Sequence, residues 1–143
     1  MAELMQVLAA DGSGWLNLLP GIEEGEDFAS STPGPFAIFG DRQPPVTMCT
    51  WVPPQPGRQS AEEVTIGIMH PQGRAALPLL TQAGIDVPPG WRVTQDHPRR
   101  GLVAHVALMI PHADVVAWLV RAGAALCPAT LTGMWQVEAY RLV

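Results

Sequence analysis

The sequence predicts a single α+β domain whose back half, residues 61–143, runs strand, helix, strand, strand, helix, strand. Three observations carry that expectation. Val64, Ile66 and Ile68 alternate with Thr65, Gly67 and Met69, which is the two-residue period of a strand. Val115, Leu119, Ala122 and Leu126 follow one another at spacings of four, three and four, which lines one face of a helix. Between them, two apolar runs flank Asp96-His97-Pro98-Arg99-Arg100-Gly101, where proline suits the second position of a turn and glycine a positive φ.

The elements follow in chain order. Glu3–Ala10 predicts a short helix with Leu4, Val7 and Leu8 on one side, broken by Asp11-Gly12-Ser13-Gly14. Trp15–Leu19 is an apolar run with strand character. Gly21–Pro35 is acidic, rich in Ser, Thr, Pro and Gly, and without period, so it predicts a loop. Phe36–Phe39 and Val46–Val52 predict two strands. Pro53–Arg58 is too proline-rich for a helix or a central strand and divides the chain. Residues 1–60 are therefore an irregular, β-rich extension. In the back half, strands are expected near 64–70, 91–96, 102–108 and 134–142, and helices near 73–84 and 111–126. Gly84 ends the first helix and Pro128 the second, while Pro111 opens the latter. Pro78 requires the first helix to start late or to bend.

This element order is that of a ferredoxin-like βαββαβ unit, with helices on one face of an antiparallel sheet. It places strand 64–70 between strands 102–108 and 134–142. The front strands then either extend the sheet or cover its open face. Alternation assigns Val64, Ile66, Ile68, Leu102, Ala104, Val106, Trp135 and Val137 to the helix side. Thr65, Gly67, Met69, Thr94, Asp96, Val103, His105, Gln136, Glu138 and Tyr140 fall on the open side.

Composition bounds the function. At 143 residues with 48% apolar content, one core can fill without metals or disulfides. Cys49 and Cys127 follow no motif and predict free, buried thiols. The start of the sequence has no basic, apolar leader, and no stretch has the ~18 apolar residues of a membrane span. A cytoplasmic protein is expected. All eight basic residues are arginine, which points to a GC-rich bacterial source. Residues 1–63 carry −7 and residues 64–143 carry +2. The acidic total of −5 argues against bulk nucleic-acid binding, which needs a basic face. The positive bias of the back half suits a small anionic ligand.

Several groups carry candidate chemistry. His105 on a central strand, with Glu138 and Tyr140 on the strand two places away, forms a set suited to acid–base work. Thr94 and Met69 share that face and are candidate ligand contacts. Arg99 and Arg100 present guanidinium forks suited to a phosphate or carboxylate, although adjacent arginines in a turn point apart and Asp96 can cap its own turn. His70-Pro71-Gln72-Gly73-Arg74 lies at a strand-to-helix junction but lacks a glycine-rich phosphate fingerprint. His70, His97, His105 and His112 have no metal-ligand spacing, so no metal is expected, and no cofactor motif is present.

Architecturally, the back half resembles the small ferredoxin-like proteins that serve as ligand sensors, assembly modules or dimeric α+β-barrel enzymes. That resemblance implies no single function. The leading expectation is a non-catalytic ligand-binding or assembly module that forms homo-oligomers. The alternative is a cofactor-free cyclase, isomerase or monooxygenase with a cavity on the open face. A cavity lined by both His105 and Glu138 would separate the two.

Overall fold

A computed structural model describes residues 1–23, 46–55 and 62–141 of the chain. Helix α1 spans Ala2–Asp11, and strands β1 and β2 span Trp15–Ile22 and Met48–Val52. Strand β3 (Glu63–Met69) leads to α2 (Ala76–Gln82), then to the β4–β5 hairpin (Arg92–His97 and Gly101–Ala107). Helix α3 (His112–Leu126) and strand β6 (Leu131–Tyr140) complete the order. Each back-half element forms within a few residues of its expected place. The expected strand at Phe36–Phe39 lies outside the described residues, as do the turn at 40–45, most of the 21–35 loop and the end of the proline-rich segment.

The strands form one six-stranded sheet in the order β4-β5-β3-β2-β1-β6, with every neighbouring pair antiparallel. This is not the ferredoxin-like order. Strand β3 does sit beside β5, but its other neighbour is β2 rather than β6. The front strands enter the middle of the sheet: β2 pairs with β3, β1 with β2, and β6 closes on β1. The connection through α3 thus spans three intervening strands instead of one. Residues 15–22 and 48–52 extend the sheet, from inside it.

The core occupies one face. Leu16, Leu18, Cys49, Trp51, Val64, Ile66, Ile68, Leu102, Ala104 and Val106 point into it and are buried with residues of all three helices. Trp135 and Val137 pack against its border. The alternation therefore had the right phase on β3, β5 and β6. On α3, Val115, Leu119, Ala122 and Leu126 are buried as expected. On α1 the buried positions are Met5 and Leu8, whereas Val7 is 47% exposed, so the predicted face is displaced.

Local chemistry explains the boundaries. Helix α2 begins at Ala76, which puts Pro78 in its first turn, where the missing N–H has no intrahelical partner to lose. Pro111 stands at the N-cap of α3. Gly101 takes the turn's positive φ (85°) and meets the Ile68 carbonyl so closely that a Cβ would collide with it. Strand β6 starts at Leu131, sooner than expected, because Thr132-Gly133 is a bulge within the strand rather than a linker before it. The register shifts there between Pro20 and Ile22, and Gly133 has φ 84°.

A second bulge overturns one placement. The register of β4 on β5 shifts between Val93 and Gln95, so Thr94 is the extra residue and the phase reverses beyond it. Asp96 consequently faces the helices. Its Oδ1 accepts the Ala76 N–H at 2.7 Å and its Oδ2 the Leu77 N–H at 3.1 Å, which caps α2 from a distant strand. The turn is capped instead by His97, whose Nδ1 accepts the N–H groups of Arg99 and Arg100, each at 3.1 Å.

Candidate functional site

The open face of the sheet carries every second residue of its strands. Registers place His105 beside Thr65, and Thr65 beside Val52. The neighbouring row runs Glu138, Asn17, Thr50, Gly67 and Val103. This face is mixed, as the sequence implied, but the inserted strands change which groups meet. His105 on β5 and the Glu138–Tyr140 pair on β6 are four strand steps apart. At ~4.8 Å per step that is roughly 19 Å. The expected separation of two strands does not hold, and these side chains form two separate clusters.

The first cluster surrounds His105. Its Nδ1 lies 3.2 Å from Thr65 Oγ1 and its Nε2 3.2 Å from Thr94 Oγ1. Hydroxyls can donate or accept, so both ring nitrogens are served in either tautomer. The bulge that turns Asp96 inward is also what brings Thr94 to the ring. Beside it lies a cleft of about 260 Å³, lined by Val52, Pro53, Pro54, Gln55, Glu63, Thr65 and His105. This is just under the ~300–1,000 Å³ of typical small-molecule sites. Glu63 contributes a carboxylate, but Arg92 Nη2 reaches its two oxygens at 3.2 and 3.3 Å. The pair is solvent-exposed and so contributes little to stability.

The cleft combines the apolar surface of Val52 and two prolines with amide, hydroxyl, imidazole and carboxylate groups. Such a surface can orient a small amphipathic molecule. Proton transfer would require His105 to leave one of its threonines. The sequence reading missed Glu63 and Pro53–Gln55. Their signal was present in the proline pair directly after a strand, which was read only as a divider.

The second cluster lies at the opposite edge. Tyr140 donates its phenol proton to Glu138 Oε2 at 2.8 Å, and Gln136 Nε2 donates to Oε1 at 3.1 Å. The Tyr140 ring stacks on Trp15 with centroids 5.0 Å apart. The hydrogen bond to Glu138 holds the phenol above its ordinary pKa, with burial and the carboxylate's charge acting in the same direction. A phenol so held is a poor general base.

The remaining candidates stand apart. Met69 is on the open face opposite Met48, away from the cleft. Arg99 and Arg100 are exposed at the hairpin tip, at the other end of β5 from His105. His70 is buried at 2% exposure, with no partner for Nε2 among the described residues, and burial lowers its pKa against the opposing pull of Asp96. It is not placed to meet an anion. His112 packs edge-on against Trp51. Cys49 is buried and its thiol is pushed up to about 12, mainly by burial and further by Cys127, so it is no nucleophile at neutral pH. Both cysteines are free. No cluster of metal-ligating side chains occurs among the described residues. No described helix is long and apolar enough to cross a membrane.

Fold and site together define a mixed α+β protein with a six-stranded antiparallel sheet, helices on one face, and a small cleft on the other. No protein-family model, curated protein or solved structure matches this chain.

Proposed function

We propose that this protein is a non-catalytic binding or assembly module of a GC-rich bacterium, working in the cytoplasm as a homo-oligomer. One observation carries this reading: among the described residues, the groups suited to acid–base work do not converge. His105 and Glu138 lie four strands apart, and each is already engaged by neighbours on its own side. Glu63, the carboxylate that does share the cleft with His105, is engaged by Arg92. The mixed lining of the cleft suits reversible capture of a small ligand that carries both apolar and polar groups.

The test is an NMR titration of the full chain with a set of small carboxylates, amides and alcohols of that kind. Binding is expected to move the backbone signals of Gln55, Thr65 and His105 together, with the added compound recovered unchanged. His105→Gln is expected to weaken that binding. Conversion of any added compound, lost in His105→Gln at an unchanged melting temperature, would overturn the reading in favour of a cofactor-free enzyme.

A further inference from the structure

We infer that β6 is the pairing edge for a second copy of this chain, through an antiparallel, two-fold β6–β6 ladder centred on Val137. The inference rests on the assembly reading above and names its interface.

The sheet has two outer strands, and they differ. Strand β4 has six residues, is interrupted at Thr94, carries Arg92 and Asp96, and ends beside the exposed Arg99 and Arg100. A bulge and cationic side chains are devices that keep a sheet edge from pairing. Strand β6 has neither over a stretch of the same six-residue length. Trp135–Tyr140 runs without interruption opposite Pro20–Trp15, and it contains no proline, lysine or arginine. Its single charge, Glu138, is held by Gln136 and Tyr140 of the same strand. Among the described residues, no strand lies beside the outward backbone groups of this stretch.

Self-complementarity selects the register. The stretch is bounded by the Thr132-Gly133 bulge at one end and by the Arg141–Asp11 ion pair at the other. A two-fold axis perpendicular to the sheet keeps both faces in place, so residues of like parity must oppose each other. Three centres leave two flanking pairs on each side within these bounds. Centring on Glu138 sets two carboxylates face to face, which is unfavourable. Centring on Gln136 opposes Trp135 to Val137 and Met134 to Glu138, a bulky pair and an apolar–charged pair. Centring on Val137 opposes bulky Trp135 to small Ala139 on the helix side, and the Gln136 amide to the Glu138 carboxylate on the open side. Only this last register matches size with size and donor with acceptor. Ala139 is exposed in the single chain, which leaves its Cβ direction free to meet a partner.

Sedimentation velocity of the full chain over the micromolar range is expected to show a species of twice the 15.3 kDa chain mass. In a Cys127→Ser background, Val137→Cys is expected to cross-link to itself under mild oxidation, because directly opposed strand residues have disulfide-compatible spacing. Ala139→Arg is expected to weaken the dimer at least about tenfold, with an unchanged melting profile for the separated chains. A chain that stays monomeric at every concentration overturns both this inference and the assembly reading. A dimer that fails to cross-link through V137C, or that persists in a folded A139R variant, overturns β6 pairing and leaves the assembly reading standing. Should A139R not fold, the V137C result decides alone.

Discussion

Replacing Asp96 with alanine tests the link between the bulged strand and the helix layer. The Asp96 carboxylate accepts two backbone N–H groups, from Ala76 at 2.7 Å and Leu77 at 3.1 Å. Helix α2 has no side-chain cap of its own, since its N-cap residue is Ala75. Removal of a capping side chain costs roughly 0.5–2 kcal/mol, and a hydrogen bond to a charged group contributes roughly 1.5–3 kcal/mol. Ala76 is fully buried, so water cannot replace the lost acceptor there. Asp96 itself is only half-buried, which moderates the charge contribution. The expected cost of Asp96→Ala is about 2–3 kcal/mol. For a domain of this size each kcal/mol moves the midpoint by ~2–4 °C, so the melting temperature should fall by roughly 4–12 °C. Asp96→Asn, which keeps one acceptor, should cost about 1 kcal/mol. Thermal and urea melts followed by circular dichroism measure both, and hydrogen exchange should quicken first at the amides of Ala76 and Leu77. A D96A variant within about 0.5 kcal/mol of the wild type would show that the carboxylate is not what holds α2.

Two further outcomes follow from buried groups. Burial lowers the pKa of His70 in the folded chain below its unfolded value of about 6.5, so the unfolded chain binds the proton more tightly. Its contribution to stability is therefore full above ~pH 6.5 and is lost as the pH falls towards the folded pKa. Urea midpoints from pH 7.5 to 5 should drop less steeply in His70→Gln than in the wild type, and equal slopes would refute the assignment. Gly101→Ala must accept a positive φ and a Cβ against the Ile68 carbonyl oxygen. It should cost at least about 2 kcal/mol and disturb the NMR signals of Ile68 and Leu102. A neutral effect on the melt would argue against the tight β5–β3 approach.

The amino-acid sequence exposed what depends on near neighbours. The periods of residues 64–69 and 115–126 located an element and its buried face, because burial of one side must repeat with the backbone's own geometry. The turn glycine at 101 was legible for the same reason. Strand order was not. Alternation on β1 and β2 shows that Leu16, Leu18, Cys49 and Trp51 face a core, but nothing in that pattern says which strand lies alongside. Strand β2 is the immediate predecessor of β3, and taking Pro53–Arg58 as a divider hides that pairing, while β1 and β6 pair from opposite ends of the sequence. The same limit governs the candidate site: Glu138 was correctly assigned to the face of His105 and incorrectly to its vicinity. Asp96 failed for a smaller reason. One extra residue at Thr94 reverses all that follows on the strand, and Val93-Thr94-Gln95 carries no glycine to announce it.

The place of β1 in the sheet also sets the order in which this chain can be completed during synthesis. Strand β3, helix α2 and the β4–β5 hairpin are close in sequence and can associate early, and β2 and β1, already made, can join them. The side of β1 that meets β6 then waits until residues 131–140 have been made, because Tyr140 pairs with Trp15. Throughout that interval the nascent protein displays the outer edge of a strand bearing Trp15, Leu16, Leu18 and Leu19. Contacts so distant along the chain form slowly, and an unpaired apolar strand is a template for association between chains. An unpaired β1 edge is thus the feature of a partly completed chain that favours association between chains.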